Sequence, residues 1–295
     1  MLADNPHWRR DLARELTRRA RLFASEAMEE TIGFGGSTRR IGITGPPGAG
    51  KSSLIARLAR HWTSADERVG VLAIDPTSPV SGGSLLGDRI RMEEAAENLN
   101  LFIRSLASSV SEDGLCPNIA ALLDAFDQAG FDRLILETVG VGQVSYTAKN
   151  LVDAFVLVLI PESGDTIQAM KAGIMEMADI YVINKADLPG ADRLAVELRT
   201  MAGWRSQQAG WTPRVILTSA TDNRGVTELA DAIDASLEAA QMHDLVQARR
   251  DHHLRSTLMR RIDAIIDQNT CDLSEASMAS AFSFILGKLN DASLP

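Results

Sequence analysis

The stretch Gly45-Pro46-Pro47-Gly48-Ala49-Gly50-Lys51-Ser52 decides the fold. It fits the pattern G-x-x-x-x-G-K-S, and its flanks are what such a loop requires. The run Arg40-Ile41-Gly42-Ile43-Thr44 reads as a buried strand, and Ser53 to Arg60 carries Leu54, Ile55, Leu58 and Ala59 at helical spacing. Glycines let the backbone wrap around a polyphosphate, so that its N–H groups and the helix N-terminus point at the anion. On this reading Gly45, Pro46, Pro47, Gly48, Ala49, Gly50, Ser52 and Ser53 cradle the phosphates, Lys51 reaches the outer ones, and the Ser52 hydroxyl is placed to bind Mg2+. An ordinary glycine turn would explain the glycines but not the strand and helix on either side of them.

A second segment bears on which nucleotide is bound. The apolar run Ala178 to Ile183 reads as another buried strand and runs directly into Asn184-Lys185-Ala186-Asp187, an N-K-x-D pattern. A carboxylate at Asp187 can accept hydrogen bonds from guanine N1–H and the 2-amino group. Adenine offers neither donor, so a pocket built this way leaves Asp187 unpaired with ATP. Lys185 can lay its aliphatic stem along the base. The chain has only five lysines, and two of them fall inside these motifs. Val215-Ile216-Leu217-Thr218-Ser219-Ala220, a strand entering a small polar loop, is a third candidate for the guanine side, with Ser219 and Ala220 as contacts.

Strands are expected near 40–44, 69–75, 100–104, 133–138, 154–160, 179–183 and 214–219, with helical segments between most of them. That alternation predicts an α/β fold with a doubly wound, mostly parallel sheet and ligands at the C-terminal strand ends. Residues 7–30 place Trp8, Leu12, Leu16, Ala20, Phe23 and Ala27 on one side of a helix with arginines opposite, and Arg18-Arg19-Ala20-Arg21 reads as a solvated charge run. After residue 241 strand signals stop, and Leu254, Leu258, Ile262 and Ile265 form an apolar stripe at helical spacing. Residues 273–288 suggest one more helix. The expected organisation is an N-terminal helical extension and hinge over 1–37, a nucleotide domain over 38–240 and a C-terminal helical arm over 241–295.

Two acidic segments complete the catalytic side. One strand ends at Asp75-Pro76-Thr77-Ser78 and is followed by a flexible run that includes Gly87-Asp88-Arg89. Another ends at Glu137-Thr138-Val139-Gly140-Val141-Gly142-Gln143. Mg2+ takes hard oxygen ligands, often through retained waters, so Ser52, Asp75, Asp88 and Glu137 are the candidate metal-site residues. Gly140 and Gly142 give the second segment freedom to change conformation, and Gln143 is a candidate for orienting water.

The chain has 295 residues, 45% of them hydrophobic, and a net charge of −9. It can bury a substantial core, while its acidity argues against nucleic acid as a main partner. Cys116 and Cys271 offer neither metal-ligand spacing nor a disulfide framework, and no apolar stretch is long enough to span a membrane. The expectation is a cytoplasmic protein.

Taken in order, GPPGAGKS, DPTSPVSGGSLLGDRIRM, FIRSLAS, ETVGVGQ and NKAD resemble the MeaB/ArgK GTPases, the methylmalonyl-CoA-mutase-associated G proteins, over roughly residues 38–225. The resemblance implies a SIMIBI-class P-loop GTPase that binds GTP, GDP and Mg2+ and escorts an adenosylcobalamin-dependent acyl-CoA mutase. It also implies a homodimer joined through C-terminal helices. Carried onto this chain, Lys51 and Ser52 hold phosphate and metal, Asp75, Asp88 and Glu137 organise the metal and its waters, and Asn184, Lys185 and Asp187 read guanine. The sequence departs from the family pattern at Val144-Ser145-Tyr146 and at Ser109 to Gly114, in segments such proteins use for switching and partner contact. The client could therefore be a sibling mutase, for isobutyryl-CoA or 2-hydroxyisobutyryl-CoA. Two other readings of the P-loop class are a metallochaperone-type GTPase, which should show a histidine-rich tract or paired Cys/His site, and a transport-linked kinase, which would need an acceptor site.

Overall fold

Several short runs in this chain, such as 154–159 and 180–183, are apolar at successive positions rather than at alternate ones, so those strands need cover on both faces. The computed structural model describes residues 7–22, 37–76, 98–108, 118–138, 147–161, 173–209, 212–242 and 278–291, together with positions 255, 259, 262 and 266. Within it the strands β1 (Arg39–Thr44), β2 (Val69–Pro76), β3 (Leu101–Ser108), β4 (Arg133–Glu137), β5 (Ala154–Leu159), β6 (Ile180–Ile183) and β7 (Arg214–Leu217) form one sheet in the order β3-β2-β4-β1-β5-β6-β7. Every pairing is parallel. The fold is thus α/β and doubly wound, with a sheet that is parallel throughout rather than mostly so. The third strand runs on to Ser108, four residues past its expected end, and pairs along its whole length with β2.

Among the described residues the helices are α1 (Trp8–Ala20), α2 (Lys51–Thr63), α3 (Ile119–Gln128), α4 (Ala191–Ala209), α5 (Val226–Met242) and α6 (Met278–Asp291), with a 3-10 turn at Ile174–Glu176. The pleat sends alternate strand residues to opposite faces and so divides the core in two. Leu134 and Leu136 of β4, with Phe155, Leu157 and Leu159 of β5, pack with α1, α3 and α4. Ile135, Val156 and Val158 join Ile41 and Ile43 under α2 and α5.

The N-terminal helix ends at Ala20 instead of continuing to residue 30. Asn118 Nδ2 donates to the carbonyls of Arg19 at 2.9 Å and Leu22 at 2.7 Å, which pins the chain as it leaves the helix. Phe23 and Ala27 lie outside the described residues. Leu12 and Leu16 are buried as expected, each stabilising by roughly 1.5–3 kcal/mol. The charge run is not wholly solvated, however. Arg19 is buried and donates to the Ala121 carbonyl at 2.7 Å, Gln128 Oε1 at 2.8 Å and Glu15 Oε1 at 2.7 Å, so it fastens α1 to α3.

Another buried arginine ties the sheet to α3. Arg40 Nη2 meets Asp124 at 2.8 Å and Asp127 at 2.6 Å. Burial pulls its guanidinium pKa down, but the charges of Asp127 and Asp124 outweigh that and hold it above the ordinary value. Burial pushes the Asp124 carboxyl up, partly offset by the charge of Arg40. Removing one partner of such a group leaves an uncompensated buried charge, at a cost of about 3–5 kcal/mol.

Candidate functional site

A parallel sheet of this winding collects ligands where the strand order reverses, at the carboxyl ends beside the central strand. Here that strand is β1, with β4 on one side and β5 on the other. The register brings Ile43 level with Glu137, Ala73 level with the same glutamate, and Thr44 level with Leu157. Asp75, two residues beyond Ala73, therefore leaves β2 at the same edge of the sheet as the phosphate loop.

The loop from Gly45 to Gly50 is held open by backbone that only glycine adopts comfortably. Gly45 has φ +148°, and a Cβ there would lie 2.1 Å from the Val158 carbonyl oxygen of β5. Gly48 has φ +76° with nothing within 4 Å of where its Cβ would point, so the front of the loop is open space. Gly50 starts α2 with φ +82°, and its missing Cβ would meet Asn184 Nδ2 at 2.4 Å. Pro46 and Ala49 are buried, while Pro47, Gly48 and Ser53 are exposed. Lys51, the first residue of α2, is buried and reaches back across the loop. Its Nζ donates to the carbonyls of Gly45 at 2.7 Å and Pro46 at 3.0 Å. A cation, a helix N-terminus and a ring of loop N–H groups thus converge on one opening, an arrangement that suits a polyphosphate.

On the next turn of the site, Ser52 Oγ donates to Glu137 Oε1 at 2.9 Å, and Glu137 is buried. A hydroxyl and a carboxylate in contact beside a phosphate loop are hard oxygen donors, and they fit Mg2+ better than a softer metal. Thr138, the next residue, donates its N–H to the Ile43 carbonyl at 3.0 Å and buries a side-chain hydroxyl that has no hydrogen-bond partner among the described residues. Among the described residues no group of three or more His, Cys, Asp or Glu side chains is poised to hold a metal ion. Asp88 and Gln143, the other expected residues of this side, lie outside the described residues. Of Asp75 only the backbone is described.

The base side is built from the ends of β6 and β7. Asn184 is buried, and its carboxamide faces protein in two directions. Nδ2 donates to the Ala49 carbonyl of the phosphate loop at 2.8 Å, while Oδ1 accepts from Thr218 Oγ1 at 3.1 Å and from the Ala220 N–H at 3.3 Å. Asn184 therefore ties the phosphate loop to the loop after β7. Lys185 takes φ +56°, a left-handed conformation uncommon for a residue with a side chain, and is half-buried. Asp187 is exposed at the same turn, so its carboxylate can meet a ligand without a buried charge to desolvate. Ser219 and Ala220 are both buried. Ser219 donates to Asp222 Oδ2 at 2.7 Å and bridges to Arg224, which closes a tight loop back on itself. The site thus brings together Gly45 to Ser52, Glu137, Asn184 to Asp187 and the Thr218 to Ala220 loop. Sequence reading missed Thr218 as a brace, and Arg57 of α2, whose Nε donates to the Ala220 carbonyl at 3.0 Å.

Fold and site together define a P-loop nucleotide-binding protein with a guanine-type motif beside its phosphate loop. A family profile described as Methylmalonyl Co-A mutase-associated GTPase MeaB matches residues 12–274. The chain belongs to that family and is a guanine-nucleotide-binding GTPase. A relative in Pyrococcus abyssi is 41% identical over 246 residues, covering 82% of this chain and 76% of the relative. The GTPase ArgK of Escherichia coli is 36% identical over 73% of this chain and 66% of its own length. A mouse protein, Methylmalonic aciduria type A homolog, mitochondrial, is 38% identical over 79% of this chain and 57% of its own. A crystal structure of an LAO/AO transport system kinase superposes with a TM-score of 0.59 over 95% of this chain and 97% of that one, at 24% identity, which is a likeness of fold.

Proposed function

We propose that this chain couples GTP binding and hydrolysis to the loading and upkeep of an adenosylcobalamin-dependent acyl-CoA mutase. The match to the mutase-associated family over residues 12–274 carries this reading. The linkage of phosphate loop to base loop through Asn184 supports it chemically, because such a site can transmit nucleotide state between its segments.

The reaction is attack of water on the γ-phosphate, in which positioning and charge neutralisation do nearly all the work. Lys51 exchanges its carbonyl partners for phosphate oxygens, and the loop N–H groups hold the bridging and outer oxygens against the α2 N-terminus. Ser52 and Glu137 would hold Mg2+, with Asp75 and Asp88 as further candidates, and the metal would neutralise charge on the phosphates. Gln143 is the candidate for orienting the attacking water. Asp187 and Lys185 serve the guanine base, and Asn184 positions both loops from behind.

In the proposed organisation a nucleotide domain over 38–240 is flanked by the segments 1–37 and 241–295. The second of these is the proposed dimerisation arm. In support, α6 exposes Phe282 at 63% and Leu286 at 44%, and Met259 lies 57% exposed before it. No helix among the described residues is long and apolar enough to cross a membrane. A cytoplasmic site of action accords with a chain lacking a disulfide framework.

Calorimetric titration of methylmalonyl-CoA, isobutyryl-CoA and 2-hydroxyisobutyryl-CoA mutases into the protein tests the partner assignment. One mutase should bind, with affinities that differ between the GDP and non-hydrolysable-GTP states. Linkage then requires the mutase to shift nucleotide affinity by the same factor. Absence of binding in both states for all three would overturn it.

A further inference from the structure

The outer face of α1 carries charge that the fold does not use. Residues 8–21 hold six arginines against Asp11 and Glu15, in a chain whose net charge is −9. Two of the six serve the fold: Arg19 fastens α1 to α3, and Arg9 donates to the carbonyls of Asn98 and Leu101. The other four, Arg10, Arg14, Arg18 and Arg21, follow one another at spacings of 4, 4 and 3, which puts them on one side of the helix, opposite buried Leu12 and Leu16. All four are exposed, and they extend about 17 Å along the helix axis. Arg18 meets Glu15 at 2.6 Å, whereas Arg10, Arg14 and Arg21 form no ion pair among the described residues. Helix stability does not account for this stripe. Like charges at i, i+4 repel, as those of Arg10, Arg14 and Arg18 do, and a cation in the first turn opposes the helix dipole, as that of Arg10 does.

We propose that the arginine stripe of α1 is a docking surface for an acidic face of the partner mutase, a step that rests on the mutase reading given above. The balance of charge favours a protein face over nucleic acid or an anionic bilayer. At physiological ionic strength fields die away over about 8 Å, so a compact acidic patch above α1 feels the arginines and little of the distant carboxylates. An extended polyanion would lie along the remaining surface as well, and that surface belongs to a chain of net charge −9. The helix is a fixed platform for such a contact, because Leu12, Leu16, Arg9 and Arg19 hold its inner face to the domain. Exposed charges of this kind act chiefly on the rate of encounter and less on the lifetime of the complex. The stripe therefore steers the mutase onto the GTPase.

The test is stopped-flow association of the full-length protein with whichever of the three mutases binds it in the titration above, at low and at high ionic strength. Arg10→Gln, Arg14→Gln and Arg21→Gln combined should slow association at least about tenfold at low salt, leave the dissociation rate within about twofold, and match the wild type at high salt. GDP affinity and GTP hydrolysis without mutase should stay at their wild-type values, since none of the three residues lies in the nucleotide site. The same positions changed to lysine should keep the wild-type association rate, because steering reads charge and not the shape of the guanidinium. An unchanged rate for the glutamine variant, or a lysine variant as slow as the glutamine one, overturns the docking role while leaving the mutase reading intact. Vesicles of phosphatidylcholine and phosphatidylserine in equal parts, and a DNA duplex, are the competing anions. Salt-sensitive binding of either by the wild type that the glutamine variant loses would give the stripe to that polyanion and overturn the assignment to the mutase. If no mutase binds the wild type, the mutase reading falls and the docking surface with it.

Discussion

Asn184 occupies the first position of the base-reading motif, yet its carboxamide is spent on protein, bonding Ala49 on one side and Thr218 and Ala220 on the other. On the proposed guanine reading, contact with the base falls to Asp187, which is exposed, and to Lys185, whose backbone is left-handed there. The motif was legible because its chemistry is local: four consecutive residues after an apolar strand. Its brace was not, because Ala49 and Thr218 are far away in the chain and no periodicity connects them. The same limit explains Arg19: a charge run looks solvated until the fold brings up Ala121 and Gln128. If Asp187 serves the N1–H and 2-amino donors, Asp187→Asn should transfer preference from GDP to XDP, because xanthine presents a 2-oxo group that an amide can serve. In competitive displacement the GDP:XDP affinity ratio should fall by more than about tenfold. An unchanged ratio would remove Asp187 from the base.

At the scale of elements, the strands were found within a few residues from their apolar runs, and the loop from its glycines. Boundaries slipped where a distant side chain decided them, as Asn118 does for the end of α1. The glycines of the phosphate loop are not equivalent. Gly45→Ala drives a Cβ into the Val158 backbone at 2.1 Å, whereas Gly48→Ala meets nothing within 4 Å and carries only the cost of its positive φ. Chemical denaturation should therefore show Gly48→Ala losing about 1–2 kcal/mol and Gly45→Ala clearly more, since backbone cannot yield as a side chain can. Equal losses would contradict the close approach of β5. The latch of α1 is open to pH. A hydrogen bond from Arg18, with Arg19 adding a second bond and its charge, holds the Glu15 carboxyl down to about 2 against the opposing effect of burial. A carboxyl depressed in the folded state stabilises fully above its ordinary value of 4.5, and that contribution is lost as pH falls toward about 2. Urea midpoints of wild type and Glu15→Gln should differ at pH 7 and converge between those two values. Convergence that begins near neutrality would point to a different group.

For the whole molecule, a seven-stranded parallel sheet lines up its loops at one edge, with α1 packed on the core through Leu12 and Leu16. On α6, Phe282 and Leu286 are exposed and would be covered in the proposed dimer. Introducing charge there with Phe282→Glu and Leu286→Glu should turn a dimer into a monomer in sedimentation analysis without lowering GDP affinity. A dimer that persists would exclude α6 from the interface. What joins these scales is the claim that the site turns over GTP in answer to a mutase. The most direct measurement is steady-state GTP hydrolysis with and without each purified adenosylcobalamin-dependent acyl-CoA mutase, using Lys51→Ala as control. One mutase should accelerate the wild type, and Lys51→Ala should fall by at least about 10²-fold with or without it, the scale of losing one preorganised electrostatic group. Normal turnover by a folded Lys51→Ala variant, or no acceleration by any of the mutases, would contradict it.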